Sequence, residues 1–163
     1  MDRYASEIEN LYKTHGICKT IPTPLTSIAQ ALGYVVKYFL LTAENRHISG
    51  VTFYKKKEIL INPDEYGRRY SFTLAHELGH ILLGHCNDCT DEYDTRDDIN
   101  NPKQGTREYD ANEFAAELLM PEKEFLAEWE KCHDIVQLAE TFDVSIAATK
   151  VRLRKLGKLE IQS

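Results

Sequence analysis

The chain lacks a run of apolar residues long enough to enter a membrane. A span needs about twenty in a row, and the longest runs in these 163 residues fall far short. It also lacks a basic-then-apolar opening: Met1-Asp2-Arg3-Tyr4-Ala5-Ser6-Glu7 is polar and mixed in charge. No signal segment and no membrane association are therefore expected, and the expected compartment is the cytoplasm. There is no basic excess, since the net charge of -6 gives no general drive toward nucleic acid. Cysteine is scarce, with Cys18, Cys86, Cys89 and Cys132, and these are expected to be reduced. Cys86 and Cys89 form C-x-x-C, but a structural zinc site needs four ligands and no second pair lies nearby. They read as two thiols at the start of a loop rather than as a metal or redox pair. What remains, 42% hydrophobic and 28% charged, is one soluble domain with a real core, residues 1–163. Nothing in the sequence fixes an oligomeric state.

The stretch that organises the chain is Ser71-Phe72-Thr73-Leu74-Ala75-His76-Glu77-Leu78-Gly79-His80-Ile81-Leu82-Leu83-Gly84-His85. It carries H-E-x-x-H on an apolar, hence buried, helix. A spacing of four puts His76 and His80 on one face, one turn apart, where two imidazoles can hold one zinc ion. Glu77 lies one residue round from His76 and suits a general base acting on water. Buried His and Glu need partners, and a metal supplies one. Gly79 in mid-helix costs about 1 kcal/mol relative to alanine, which implies close packing or a nearby substrate strand. His85 does not fit the longer three-histidine pattern, because Gly84 comes one residue late and His85 one early. It is left out of the ligand set.

Around this helix the pattern is α+β. Tyr4, Ile8, Leu11 and Tyr12 form a helical stripe ended by Gly16; Leu25 to Leu32 form a second short helix closed by Gly33. Residues 34–40, 48–54 and 58–62 read as strands, the last two as a hairpin turning at Lys55-Lys56-Lys57. Asn62-Pro63-Asp64-Glu65 resembles a helix start. Residues 87–104 read as a long acidic loop. Thr106 caps a strong helix stopped by Pro121. A helix with Phe125, Leu126 and Trp129 follows, and the tail reads as helix, turn and a last helix from Ser145 to Leu156.

Two stretches together, Phe72-Thr73-Leu74-Ala75-His76-Glu77-Leu78-Gly79-His80 and Glu108-Tyr109-Asp110-Ala111-Asn112-Glu113-Phe114-Ala115-Ala116-Glu117-Leu118-Leu119-Met120-Pro121, resemble the ImmA/IrrE family of bacterial and phage zinc-dependent endopeptidases. The resemblance implies a zincin-like core, a short three-stranded sheet beside the H-E-x-x-H helix, with further helices behind it. It also implies Zn²⁺ as cofactor and a transcriptional repressor, often encoded nearby on a phage or mobile element, as substrate. Cutting that repressor would relieve repression. The radiation-response members carry extra domains, so only the repressor-cleaving, antirepressor-like role carries over. Residues 134–157 also look like a helix-turn-helix. Their final helix is basic, with Lys150, Arg152, Arg154, Lys155 and Lys158 around it, but one such unit in an acidic chain gives few phosphate contacts. It is expected to pack as part of the domain, and DNA binding is the lesser expectation.

For the third zinc ligand four carboxylates compete: Glu108, Asp110, Glu113 and Glu117. At 100° per residue Glu108 shares a face with Asn112, Ala115 and Leu119, which is small or apolar and so buried. Its alanine would let the helix approach the metal helix. Glu113, Glu117 and Asp110 fall on other faces and are expected to be solvated. The resemblance points to Glu108 as well. The plainer role for Glu108 is to favour its helix N-terminus. Asn112, one turn on, suits a supporting hydrogen bond to a ligand. The substrate is expected to bind extended against the edge of the sheet. The rival reading is a metal-stabilised regulator that binds a repressor or DNA without cutting; an intact Glu77 argues against it.

Overall fold

The computed structural model describes residues 2–85, the strand 92–95 and residues 103–159. In chain order these form α1 (Ala5–His15), α2 (Leu25–Ala31), β1 (Val35–Tyr38), β2 (Ile48–Phe53), β3 (Glu58–Ile61), α3 (Arg68–Leu82), β4 (Glu92–Thr95), α4 (Arg107–Leu119), α5 (Glu122–Cys132), α6 (Ile135–Phe142) and α7 (Ile146–Lys155). The class is α+β, with a small sheet beside the H-E-x-x-H helix and a helical C-terminal part. None of the helices among the described residues is long and apolar enough to cross a membrane.

The sheet order is β1-β3-β2-β4. β2 and β3 form the expected hairpin, with Val51 opposite Leu60, and β1 runs parallel to β3, Val36 opposite Ile59. The fourth strand lies in the stretch expected to be a loop. Its sequence, Glu-Tyr-Asp-Thr, has little strand propensity of its own; it is ordered by antiparallel pairing with β2. The rest of the acidic loop and the C-x-x-C pair fall outside the described residues. A second correction concerns Asn62, which caps no helix. It is fully buried, and its amide donates to the carbonyls of Arg46 and Ile48 while its oxygen accepts from Asp64 N at 2.8 Å. That asparagine turn closes β3, and α3 starts only after Gly67.

Ile59 and Ile61 of the sheet and Leu74 and Leu78 of α3 are fully buried in the same core as Phe114 and Leu118 of α4. α4 lies antiparallel along α3 at short range. A Cβ built on Gly79 would stand 3.1 Å from the Ala111 carbonyl oxygen and 3.3 Å from Ala111 Cα. Close packing is thus what the mid-helix glycine serves. The small residue that meets Gly79 is Ala111, and Ala115, one turn further along α4, is also fully buried. Leu138, Phe142 and Leu153 of the tail join the same core.

Two charged groups tie the N-terminus to this core. Glu117 was expected in solvent but is buried. Its Oε1 accepts from Arg3 N at 2.8 Å and its Oε2 from Tyr4 N at 2.6 Å, satisfying backbone N–H groups just ahead of α1. Burial pushes its carboxyl above the usual range, against the pull of those two N–H groups. Asp2 accepts from Glu122 N at 3.0 Å and pairs with Arg152 in a buried ion pair. Arg152 also donates to Met120 O at 3.0 Å. In the basic tail, Lys155 pairs with Glu113 and Lys158 with Glu130. Three of its five cations are therefore engaged within the molecule, while Lys150 and Arg154 stand exposed.

Candidate metal centre

The centre is built where α3, α4 and β2 meet. His76 and His80 are fully or nearly fully buried, and their Nε2 atoms face each other at 3.0 Å. Behind them, Asn112 of α4 places Oδ1 2.7 Å from His76 Nδ1. An amide oxygen only accepts, so His76 carries its ring proton on Nδ1 and turns the Nε2 lone pair toward His80. The expected pairing of Asn112 with a histidine is present in the geometry. Glu77, also buried, points to the sheet: Thr52 Oγ1 of β2 donates to its Oε2 at 2.5 Å. A Cβ on Gly50 would stand 2.6 Å from Glu77 Oε1, so only glycine leaves room for this carboxylate beside β2.

Glu108 occupies the first turn of α4 and is half-buried. Gly79 meets Ala111, His76 meets Asn112, and Arg107 Nη1 donates to His85 O at 2.8 Å. Those contacts put Glu108, one turn before Asn112, at the level of His80. Among the described residues no three His, Cys, Asp or Glu side chains converge as a complete ligand set. Asp110 pairs with Arg3 at 2.7 Å, on the far side of the helix. A cleft of about 390 Å³ adjoins the centre, with Asn112, Thr73, Met120 and Val151 in its wall.

The model of the IrrE N-terminal-like domain, a peptidase family, matches residues 29–154. The chain belongs to that family. The match spans both stretches that carry the histidines and Asn112, and membership makes this a metallopeptidase-like domain of a family that is typically metal-dependent. Among solved structures, the chain is similar to a Mycobacterium tuberculosis transcriptional regulator, with a TM-score of 0.60 at 17% identity. That likeness covers 91% of this chain and 45% of the regulator, so this chain spans less than half of that protein. It shows a shared fold. No curated protein matches the chain.

Two imidazole nitrogens on a tetrahedral zinc, each bonded at about 2.0–2.1 Å, stand roughly 3.3 Å apart. The observed 3.0 Å between the two Nε2 atoms, the burial of both rings and the orienting amide behind one of them fit that requirement. Two residues of the centre were missed in the sequence. Thr52 looked like an ordinary strand residue, and only its neighbour Gly50 hinted at a close approach. His85 was left out of the ligand set; its Nδ1 lies 2.8 Å from His80 Nδ1, on the side of that ring away from His76. Local backbone chemistry brings it there. Gly84 adopts a left-handed φ of 66°, Gly84 N bonds Ile81 O and His85 N bonds His80 O. This is the paired hydrogen-bond closure of a Schellman helix end, which folds the next residue back over the last turn. The G-H pair after the metal helix was the available signal.

Proposed function

We propose that the chain is a zinc-dependent endopeptidase that cuts a protein substrate, a transcriptional repressor encoded nearby, and so relieves repression. The observation that carries this reading is the buried, mutually facing pair of Nε2 atoms with a fixed carboxylate one residue away. His76, His80 and Glu108 would hold the metal. When bound, zinc supplies Lewis-acid chemistry, acidifying water and polarising a carbonyl. Asn112 holds His76 in the tautomer that offers Nε2. Thr52 orients Glu77, whose carboxylate takes a proton from the attacking water and delivers it to the leaving amine. The sheet edge beyond β2 is β4; an extended substrate segment adding there would run beside the strand that holds Glu77. Work in the cytoplasm suits a repressor substrate.

The second reading, a metal-stabilised regulator that does not cut, draws on the fold shared with a protein titled a transcriptional regulator. One experiment separates the two. Wild-type protein and Glu77→Gln are loaded with zinc and incubated with the repressor encoded beside them. The expected result is cleavage by the wild type and a loss of about 10²–10⁴-fold in the variant, the usual worth of a general base, with zinc content unchanged. Equal cutting by both would remove Glu77 from its role. Tight repressor binding with no fragments from either would favour the regulator.

A further inference from the structure

We infer that His85 is the positioning residue for His80, accepting from its Nδ1 when Nε2 is turned to a metal. The inference rests on the zinc reading above and adds a residue to it.

His80 turns its Nε2 toward His76 Nε2 at 3.0 Å, and its other ring nitrogen, Nδ1, lies 2.8 Å from His85 Nδ1. His85 therefore stands behind His80 as Asn112, 2.7 Å from His76 Nδ1, stands behind His76.

Zinc requires lone pairs from both Nε2 atoms. His80 must then carry its proton on Nδ1, and the acceptor in place for it is His85 Nδ1. For that nitrogen to accept, His85 must hold its own proton on Nε2. An acceptor behind a ligating imidazole fixes its orientation and raises its basicity. Asn112 does this for His76, and His85 does it for His80. The ring of His85 is held for the task by the Schellman closure at Gly84 and by Arg107, which grips the His85 carbonyl from α4.

The test uses the full chain, isotopically labelled at the histidine ring nitrogens, with and without one equivalent of zinc. NMR of those nitrogens should show, with zinc bound, His80 protonated on Nδ1 and His85 unprotonated on Nδ1. Zinc bound with His85 Nδ1 protonated overturns this inference alone; a wild-type chain that takes up no zinc overturns the zinc reading and this one together. Chelator competition supplies the second measurement. His85→Leu should weaken zinc binding by about 10–100-fold. His85→Asn, whose amide sits where Nδ1 stood and can accept or donate, should restore most of it. Undiminished zinc affinity in His85→Leu, or no rescue by His85→Asn in a folded variant, overturns the assignment.

Discussion

α3 and α7 both present a concentrated set of chemistry-bearing side chains, and the fold treats them in opposite ways. On α3 the groups are drawn inward and toward one another, with His76, Glu77 and His80 buried and each met by a partner on another element or on the helix end. On α7 the cations are parted: Arg152 is buried against Asp2, Lys155 pairs with Glu113, and Lys150 and Arg154 face solvent. The lesson is that a cluster in sequence becomes a site only when the surrounding elements leave its polar atoms aimed at a common point. Where they are paired off one by one, the same density of charge acts as structural cement.

That contrast can be broken from the tail side first. Asp2→Ala leaves Arg152 buried without its carboxylate and should lower stability by about 3 kcal/mol, the typical result of removing one partner of a buried pair. Zinc affinity of the folded fraction should not change. Urea denaturation run beside a zinc titration checks both, and a variant as stable as wild type would deny the tail its anchoring role. The converse break is Glu108→Ala. It should weaken zinc by more than about 100-fold, beyond the loss of a merely supporting partner, while metal-free stability shifts by less than about 1 kcal/mol. Glu113→Ala should keep its zinc; the reverse pattern would reassign the ligand.

A smaller effect is expected where α3 and α4 touch. Gly79→Ala gains about 1 kcal/mol of helix propensity, yet its methyl would press on backbone atoms of Ala111, and overpacking costs about 1–3 kcal/mol. A net loss near 1 kcal/mol is the expected balance, with weaker zinc binding as Asn112 is pushed from His76. A stabilised Gly79→Ala with full zinc affinity would show that the helices can part freely. The smallest effect is electrostatic. Glu117 has its carboxyl raised by burial above its ordinary value of 4.5. Above that value the folded chain keeps a proton the unfolded chain has lost, so this group's contribution to stability falls as pH rises through the folded value. Wild-type stability measured relative to Glu117→Gln should therefore decline with rising pH across that window; a flat or rising difference would contradict the sign.

The fold class and the histidine pair were legible because both depend on periodicity. Four-residue spacing fixes His76 and His80 on one face whatever surrounds them, and alternation with turn residues marks the β2–β3 hairpin. What the sequence hid depends on distant partners. Glu117 is buried because the N–H groups of Arg3 and Tyr4, more than a hundred residues earlier, need an acceptor, and no local pattern carries that. β4 is a strand because β2 has an open edge, not because Glu-Tyr-Asp-Thr favours extension. His85 was discarded on the register of a metal-ligand motif, whereas its role follows from how a glycine ends a helix.

The clasp between Asp2 and Arg152 also bears on how the molecule is made. Its partners are 150 residues apart, and the backbone of Arg3 and Tyr4 waits 114 and 113 residues for the Glu117 carboxylate that holds it. At about 5–20 residues per second of synthesis, roughly 8–30 s separate the emergence of Asp2 from that of Arg152. Until Glu117 is made, the N–H groups of Arg3 and Tyr4 lack that acceptor, and until Arg152 is made Asp2 lacks its arginine. Contacts of such sequence separation form late and slowly. The segment around Asp2 is thus made early yet fixed late, and the histidine helix can be assembled before the strap that closes the domain.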